Sequence, residues 1–173
     1  MQSISDHNPH KDFDTRYLRN ILGEFATGVT VLGCTGDDGP AAMTANAFTS
    51  VSLTPPLVLV SIGTKARMLK RLTRNTAHSI NFLSGHQEPM ARHYGGSKLP
   101  ADDAHWATVE GVPIIAEAVA SLGCQVVARH RHGDHVLVVS AVQWIVHNPD
   151  RSALTFHRGQ FGALPMRQID RPH

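Results

Sequence analysis

The stretch Gly39 to Gly63, GPAAMTANAFTSVSLTPPLVLVSIG, concentrates small and hydroxyl side chains: Thr44, Ser50, Ser52 and Thr54 stand between two apolar segments and end at Pro55-Pro56. Alanine and serine let a flat ring lie close to a backbone, while hydroxyls and free amides reach heteroatoms along its edge. The double proline removes two amide donors, so regular pairing is expected to lapse there. Alternation of Thr and Ser with Phe48, Val51 and Leu53 also fits an ordinary half-buried strand. The alternation fails across Ala45-Asn46-Ala47, and that irregularity favours amides turned toward a ligand.

A second cluster carries charge. In GTKARMLKRLTRN, Thr64 can cap a helix over roughly 65–74 whose first turn holds Lys65 and Arg67. Cations there oppose the helix macrodipole by roughly 0.3 to 1 kcal/mol each, a penalty that a phosphate would reverse. Two solvated surface cations would tolerate the same penalty. Lys70, Arg71 and Arg74 lie toward the other end of that helix and read as structural or solvated. In GDHVLVVSAV, Gly133-Asp134 makes a turn and His135 opens a strand, where its side chain can point into a barrel mouth or simply serve the turn. His130 and His132 crowd the same turn, but no cysteine and no carboxylate beyond Asp134 completes a tetrahedral set, so no metal is expected. No Ser-His-Asp order or carboxylate pair points to hydrolysis, and no GxGxxG motif follows a strand to make a Rossmann site.

The elements that must position these groups are mostly short strands. Tyr17, Leu18, Ile21, Leu22 and Phe25 recur at helical spacing and predict an amphipathic helix packed on the core, stopping at Thr27-Gly28. Val29 to Cys34, Ala42 to Leu53, Leu57 to Ile62, Ser79 to Leu83, Ile114 to Ala120, Leu122 to Arg129, Val136 to Trp144 and Ala153 to His157 read as strands. A further helix is expected around Gln87 to Tyr94, ended by Gly95-Gly96. Many strands and few helices predict a mostly β chain closed, or partly closed, into a barrel. The 173 residues, 42% of them hydrophobic, suit one domain over 15–168 after a polar tail at residues 1–14. A net charge of +2 gives no nucleic-acid footprint, and no apolar run long enough to span a membrane occurs, so a cytoplasmic protein is expected. Cys34 and Cys124 lack CxxC spacing and read as buried thiols.

FATGVTVL, the hydroxyl-rich stretch and GDHVLVV together resemble the flavin reductase family with the FMN-binding split β-barrel fold, over about Phe25 to Leu164. The resemblance implies isoalloxazine contacts at Thr44, Ala45, Asn46, Ser50, Val51 and Ser52. It implies further flavin contacts at Ser61 and Gly63 and a phosphate at Lys65 and Arg67. His135 would lie by the flavin and the nicotinamide as the catalytic residue. FHRGQFGAL resembles the family's closing motif, so His157, Arg158 and Phe161 would cover the rings, or form a packed strand and turn; Asn81 and Arg92 are further candidate contacts. Ala42 and Ser140 stand where the family often has glycine. The implied cofactors are FMN or FAD with NADH or NADPH as donor, and the implied protein is a homodimer that supplies reduced flavin to a partner monooxygenase. A flavin carrier or sensor without reductase activity, and an oxidase like the pyridoxamine phosphate oxidases that share the fold, stay open as alternatives.

Overall fold

The computed structural model describes residues 14–37, 39–97 and 106–165. The expected tail lies outside these residues apart from Asp14, as does the end of the expected domain at 166–168. Helix α1 (Thr15–Leu22) leads into β1 (Thr27–Gly28), β2 (Thr30–Gly36), β3 (Gly39–Ala45), β4 (Phe48–Leu53) and β5 (Pro56–Gly63). After these come α2 (Arg67–Arg71), β6 (Ala77–Phe82), α3 (Glu88–Tyr94), β7 (Trp106–Val109) and β8 (Val112–Ile115). The long strands β9 (Ala120–His132) and β10 (His135–His147) precede the hairpin of β11 (Leu154–His157) and β12 (Gln160–Ala163).

Seven strands form one antiparallel sheet in the order β3-β2-β6-β9-β10-β5-β4. Its two edge strands, β3 and β4, are consecutive in the chain and joined only by Asn46 and Ala47. Three backbone steps reach at most about 10 Å, so the sheet must curl until its edges nearly meet. Bulges in the β9–β10 ladder, at Val139/Ser140 and Val142/Trp144, supply curvature. The result is a mostly β split barrel whose seam is the Asn46-Ala47 link.

Alternation fills the barrel: Val58, Val60 and Ile62 of β5 point in with Leu32, Ile80, Leu122, Val126, Val136 and Val138, and α2 adds Met68 and Leu69. A second cluster outside the barrel joins Val29, Val31, Leu83, Met90, Ala91, Ile115 and Leu154. Strand β2 therefore reads as a continuous apolar run because Leu32 feeds one cluster and Val31 the other. Both cysteines are free and buried, and burial pushes the Cys124 thiol up to about 12. Among the described residues no helix is long and apolar enough to cross a membrane.

Several expectations need correction. Asp14 caps α1 through Arg16 N (2.8 Å), but none of the helix is buried. Tyr17, Leu18, Ile21, Leu22 and Phe25 all stay exposed, so the predicted packing of this face on the core does not occur within the chain. The expected strand 42–53 is two strands, split where its alternation fails. Pro55-Pro56 does not end pairing: Leu53 faces Pro56 across the β4–β5 turn. The helix expected over 65–74 shrinks to five residues, and its N-cap is Ala66, not Thr64, with no capping side chain. The strand read at 114–120 stops at Ile115, and Glu117 takes a left-handed conformation (φ 62°) in the turn that follows.

Candidate functional site

Thr44, Ala45 and Asn46 reach the seam at the end of β3, and their neighbours shape a groove around them. Thr30 donates its hydroxyl to the Ala45 carbonyl (2.6 Å), and Thr44 donates to the Ala91 carbonyl (2.6 Å), which ties α3 to the strand. Gly95 ends α3 where a Cβ would sit 2.9 Å from the helix's own Ala91 carbonyl oxygen, while its 3.8 Å distance from Thr44 Cβ is ordinary contact between helix end and strand. The groove, about 360 Å³, is lined by these three residues with Val29, Ala91, Arg92, Gly95, Ser97, Phe156 and Phe161. Phe156 and Phe161 face each other at 5.0 Å between ring centroids. The Arg92 guanidinium lies 4.8 Å over Phe161 and pairs with Glu88, one helical turn earlier, at 2.7 Å. An apolar aromatic floor under a polar rim suits a planar heteroaromatic ligand.

Across the seam lies a second group of candidates. Ser50 and Val51 are exposed on β4, an edge strand with a bulge between Ser50 and Ser52. Ser52 Oγ accepts from Thr54 N (3.2 Å). Ser61 N donates to Ala47 O (3.0 Å), which brings the seam against β5. Two residues on, about 7 Å along the strand, Gly63 pairs with His135. Lys65 and Arg67 follow, both exposed. Thr64 N donates to Asp134 O, and His135 Nδ1 contacts Asp134 Oδ1 at 2.8 Å. That bond, with the charges of His135 and Lys65, holds the Asp134 carboxyl below the usual carboxylate range. His135, Lys65 and Arg67 do not line the groove itself; they occupy the far end of a strip that begins at Asn46-Ala47.

The β11–β12 turn closes a third side. Arg158 donates from Nε to Glu24 Oε2 (2.8 Å), with Nη2 at 2.7 Å, and its backbone N donates to Gly23 O (3.0 Å). His157 Nε2 lies 3.9 Å from the same carboxylate. Glu24 is held below its usual range, chiefly by the Arg158 hydrogen bond. A trough of about 710 Å³ runs beneath this clasp and shares Asn46 and Phe156 with the ring groove.

Asn81 does not join the site. It is fully buried; Nδ2 donates to Val31 O (2.9 Å) and Ser79 Oγ (2.9 Å), and Oδ1 accepts from Ile115 N (3.0 Å) and Ser121 Oγ (2.7 Å). All four of its hydrogen-bonding capacities are spent inside the core, so no side-chain contact with a cofactor remains. The Thr44 hydroxyl has likewise given its proton to Ala91, leaving it only acceptor capacity. The phosphate argument loses its helix dipole, since α2 is short and begins at Arg67, but keeps two exposed cations. Ser84, His86 and Glu117 make a chain of contacts (3.3 and 3.2 Å), yet Ser84 is 1% exposed and its hydroxyl donates to Glu117 O, so it is no nucleophile. Among the described residues no three metal-binding side chains converge. Glu24 escapes a reading of the sequence because nothing local marks a residue whose partner is 134 positions away, and Arg19 and Phe156 escape it because nothing in the sequence marks them as lining a cavity.

The comparisons agree with this geometry. Residues 22–165 match the flavin reductase like domain. An NADH-dependent flavin reductase of Rhodococcus sp is 42% identical over 159 residues, covering 90% of each chain. The HsaB reductase subunit of a flavin-dependent monooxygenase from Mycobacterium tuberculosis is 32% identical over 165 residues, covering 92% of this chain and 88% of that one. The solved flavin reductase PheA2 in its native state superposes with a TM-score of 0.83 at 38% identity, covering 89% of this chain and all of that one. With the family's domain matched over most of its length and its barrel reproduced in three dimensions, this chain belongs to the flavin reductase like family.

Proposed function

We propose that this chain is an NADH-dependent flavin reductase that takes FMN or FAD as an exchangeable ligand and passes the reduced flavin to a partner monooxygenase. The observation that carries this is two cavities that share Asn46 and Phe156: a groove of about 360 Å³ with an aromatic floor, where two rings can stack, beside a trough of about 710 Å³ for the rest of the dinucleotide. When bound, the flavin accepts a hydride from the nicotinamide, chemistry that needs two stacked rings about 3 to 3.5 Å apart and no protein nucleophile. Thr44, Ala45 and Asn46 on one edge, with Ser50, Val51 and Ser52 on the other, hold the isoalloxazine at the seam. Ser61 and Gly63 border its chain, and Lys65 and Arg67 take its phosphate. His135, fixed by Asp134, orients the nicotinamide. Arg92 and Phe161 cover the stacked rings, while His157 and Arg158, held to Glu24, border the adjoining trough.

The working unit in this proposal is a cytoplasmic homodimer of one domain over 15–168, without nucleic-acid or membrane partners. The uncovered apolar face of α1 at Tyr17, Leu18 and Ile21 supports the dimer, since a second copy would bury what this chain leaves exposed. Steady-state NADH oxidation tests the function. The rate should rise with added FMN or FAD to saturation, and a flavin monooxygenase held behind a dialysis membrane should still turn over. Flavin that stays bound through many turnovers, with NADH oxidation indifferent to added flavin, would refute the supply role.

A further inference from the structure

Glu24 is the one acidic side chain lining the trough among the described residues, and the same wall carries Arg19 and Arg158. Arg158 sits at φ 50°, in the left-handed region that L side chains rarely adopt, and is pinned there by its backbone bond to Gly23 O and its guanidinium bonds to Glu24. Both guanidinium bonds end on Oε2, and Oε1 accepts none among the described residues. The groups facing Glu24 are therefore Arg158 and, more distantly, His157.

We propose that Glu24 sets the nucleotide preference of this chain for NADH over NADPH: it occupies the Arg158 charge that a 2′-phosphate would need and offers an acceptor to a 2′-hydroxyl instead. This rests on the reductase proposal, since it lays the adenosine half of the dinucleotide in the trough while the nicotinamide lies in the adjoining groove. The chemistry is that of opposite partners. A carboxylate accepts a hydrogen bond from a hydroxyl, whereas a phosphate dianion beside it meets like charge and finds the nearest guanidinium taken. Arg19, the other cation of the wall, is left for the pyrophosphate that both nucleotides carry. Glu24 is a specificity residue in this scheme and takes no part in hydride transfer.

The test is the ratio of kcat/KM for NADPH to that for NADH, measured at fixed flavin on the full-length protein, with circular dichroism to confirm folding. Wild type should favour NADH. Glu24→Gln, which keeps shape and releases Arg158, should raise the NADPH/NADH ratio by about tenfold or more. Arg158→Gln, which leaves the carboxylate unpaired, should lower it. If Glu24 only clasps the turn, both variants break the clasp alike and the ratio stays put, which overturns the inference while leaving the reductase intact. A wild type that prefers NADPH also overturns it. A wild type that oxidises neither nucleotide overturns the reductase proposal itself.

Discussion

Replacing Lys65 and Arg67 together by alanine removes the two cations assigned to the flavin phosphate, and its magnitude can be worked from their setting. Two unit charges 4 Å apart are worth about 1 kcal/mol in bulk water and about 4 kcal/mol at the effective dielectric of a protein surface. Both side chains are exposed, so the lower figure applies. Lys65 already lends part of its charge to Asp134, and the five-residue α2 adds little dipole. Two contacts of about 0.7 to 1 kcal/mol sum to about 1.4 to 2 kcal/mol, or about ten- to thirtyfold in Kd. Fluorescence titration with FMN should show this loss, larger at low ionic strength than at physiological salt. Riboflavin, which has the ring and no phosphate, should bind wild type and double variant within about twofold of each other. An FMN affinity unchanged in the double variant, or an equal loss for riboflavin, would refute the phosphate assignment.

Four further outcomes follow from the same structure. His135→Ala should slow stopped-flow flavin reduction by NADH by about tenfold or more while flavin affinity stays within a few-fold; wild-type kinetics would reduce His135 to a turn residue. Asn81→Leu leaves the Ile115 amide and the Ser121 hydroxyl without their core acceptor and should cost about 3 kcal/mol, a melting midpoint lower by roughly 6 °C or more with no selective loss of flavin binding. Burial holds the His78 imidazole at about 4, below its ordinary 6.5, so the unfolded chain takes up the proton first as pH falls. Stability from this group is therefore full above pH 6.5 and declines toward pH 4 by on the order of 3 kcal/mol, a slope that His78→Gln should flatten in denaturant titrations across that range. Leu18→Glu with Ile21→Glu, both outside the trough lining, should shift the sedimentation coefficient from dimer to monomer, and a variant that sediments as wild type would exclude the α1 face from the interface.

Much of the fold is legible because strands and turns declare themselves locally. The buried Val58, Val60 and Ile62 of β5 alternate with less buried neighbours, and α3 ends at the Gly95-Gly96 that marks it. What periodicity cannot say is what covers an apolar face. The spacing of Tyr17, Leu18, Ile21 and Leu22 correctly yields a helix, yet the expectation that it packs on the barrel fails, since the same stripe forms whether its partner is this chain or another. Helix α2 is short for a related reason: the sequence beyond Arg71 turns back so that Asn75 N and Thr76 O bond to Val126, and sheet pairing overrides a helical tendency.

The site divides along the same line. Thr44, Ala45 and Asn46 could be singled out because the failure of alternation that marks them is also the physical break between β3 and β4, so one local irregularity makes both the seam and the groove. Asn81 misleads because an amide in a strand looks the same whether it meets a ligand or four core partners; only the pairing of β2, β6 and β9, with β8 laid beside them, turns it inward. Glu24 and Arg158 are 134 positions apart, and although Arg158 could be singled out as a candidate, nothing in the sequence names Glu24 as its partner. Closing the barrel brings the α1–β1 link against the β11–β12 turn, and the two charges then become one clasp beside the ring groove. A break in strand alternation is therefore readable in advance, whereas a charge whose partner lies across the fold shows its contact only when the seam closes.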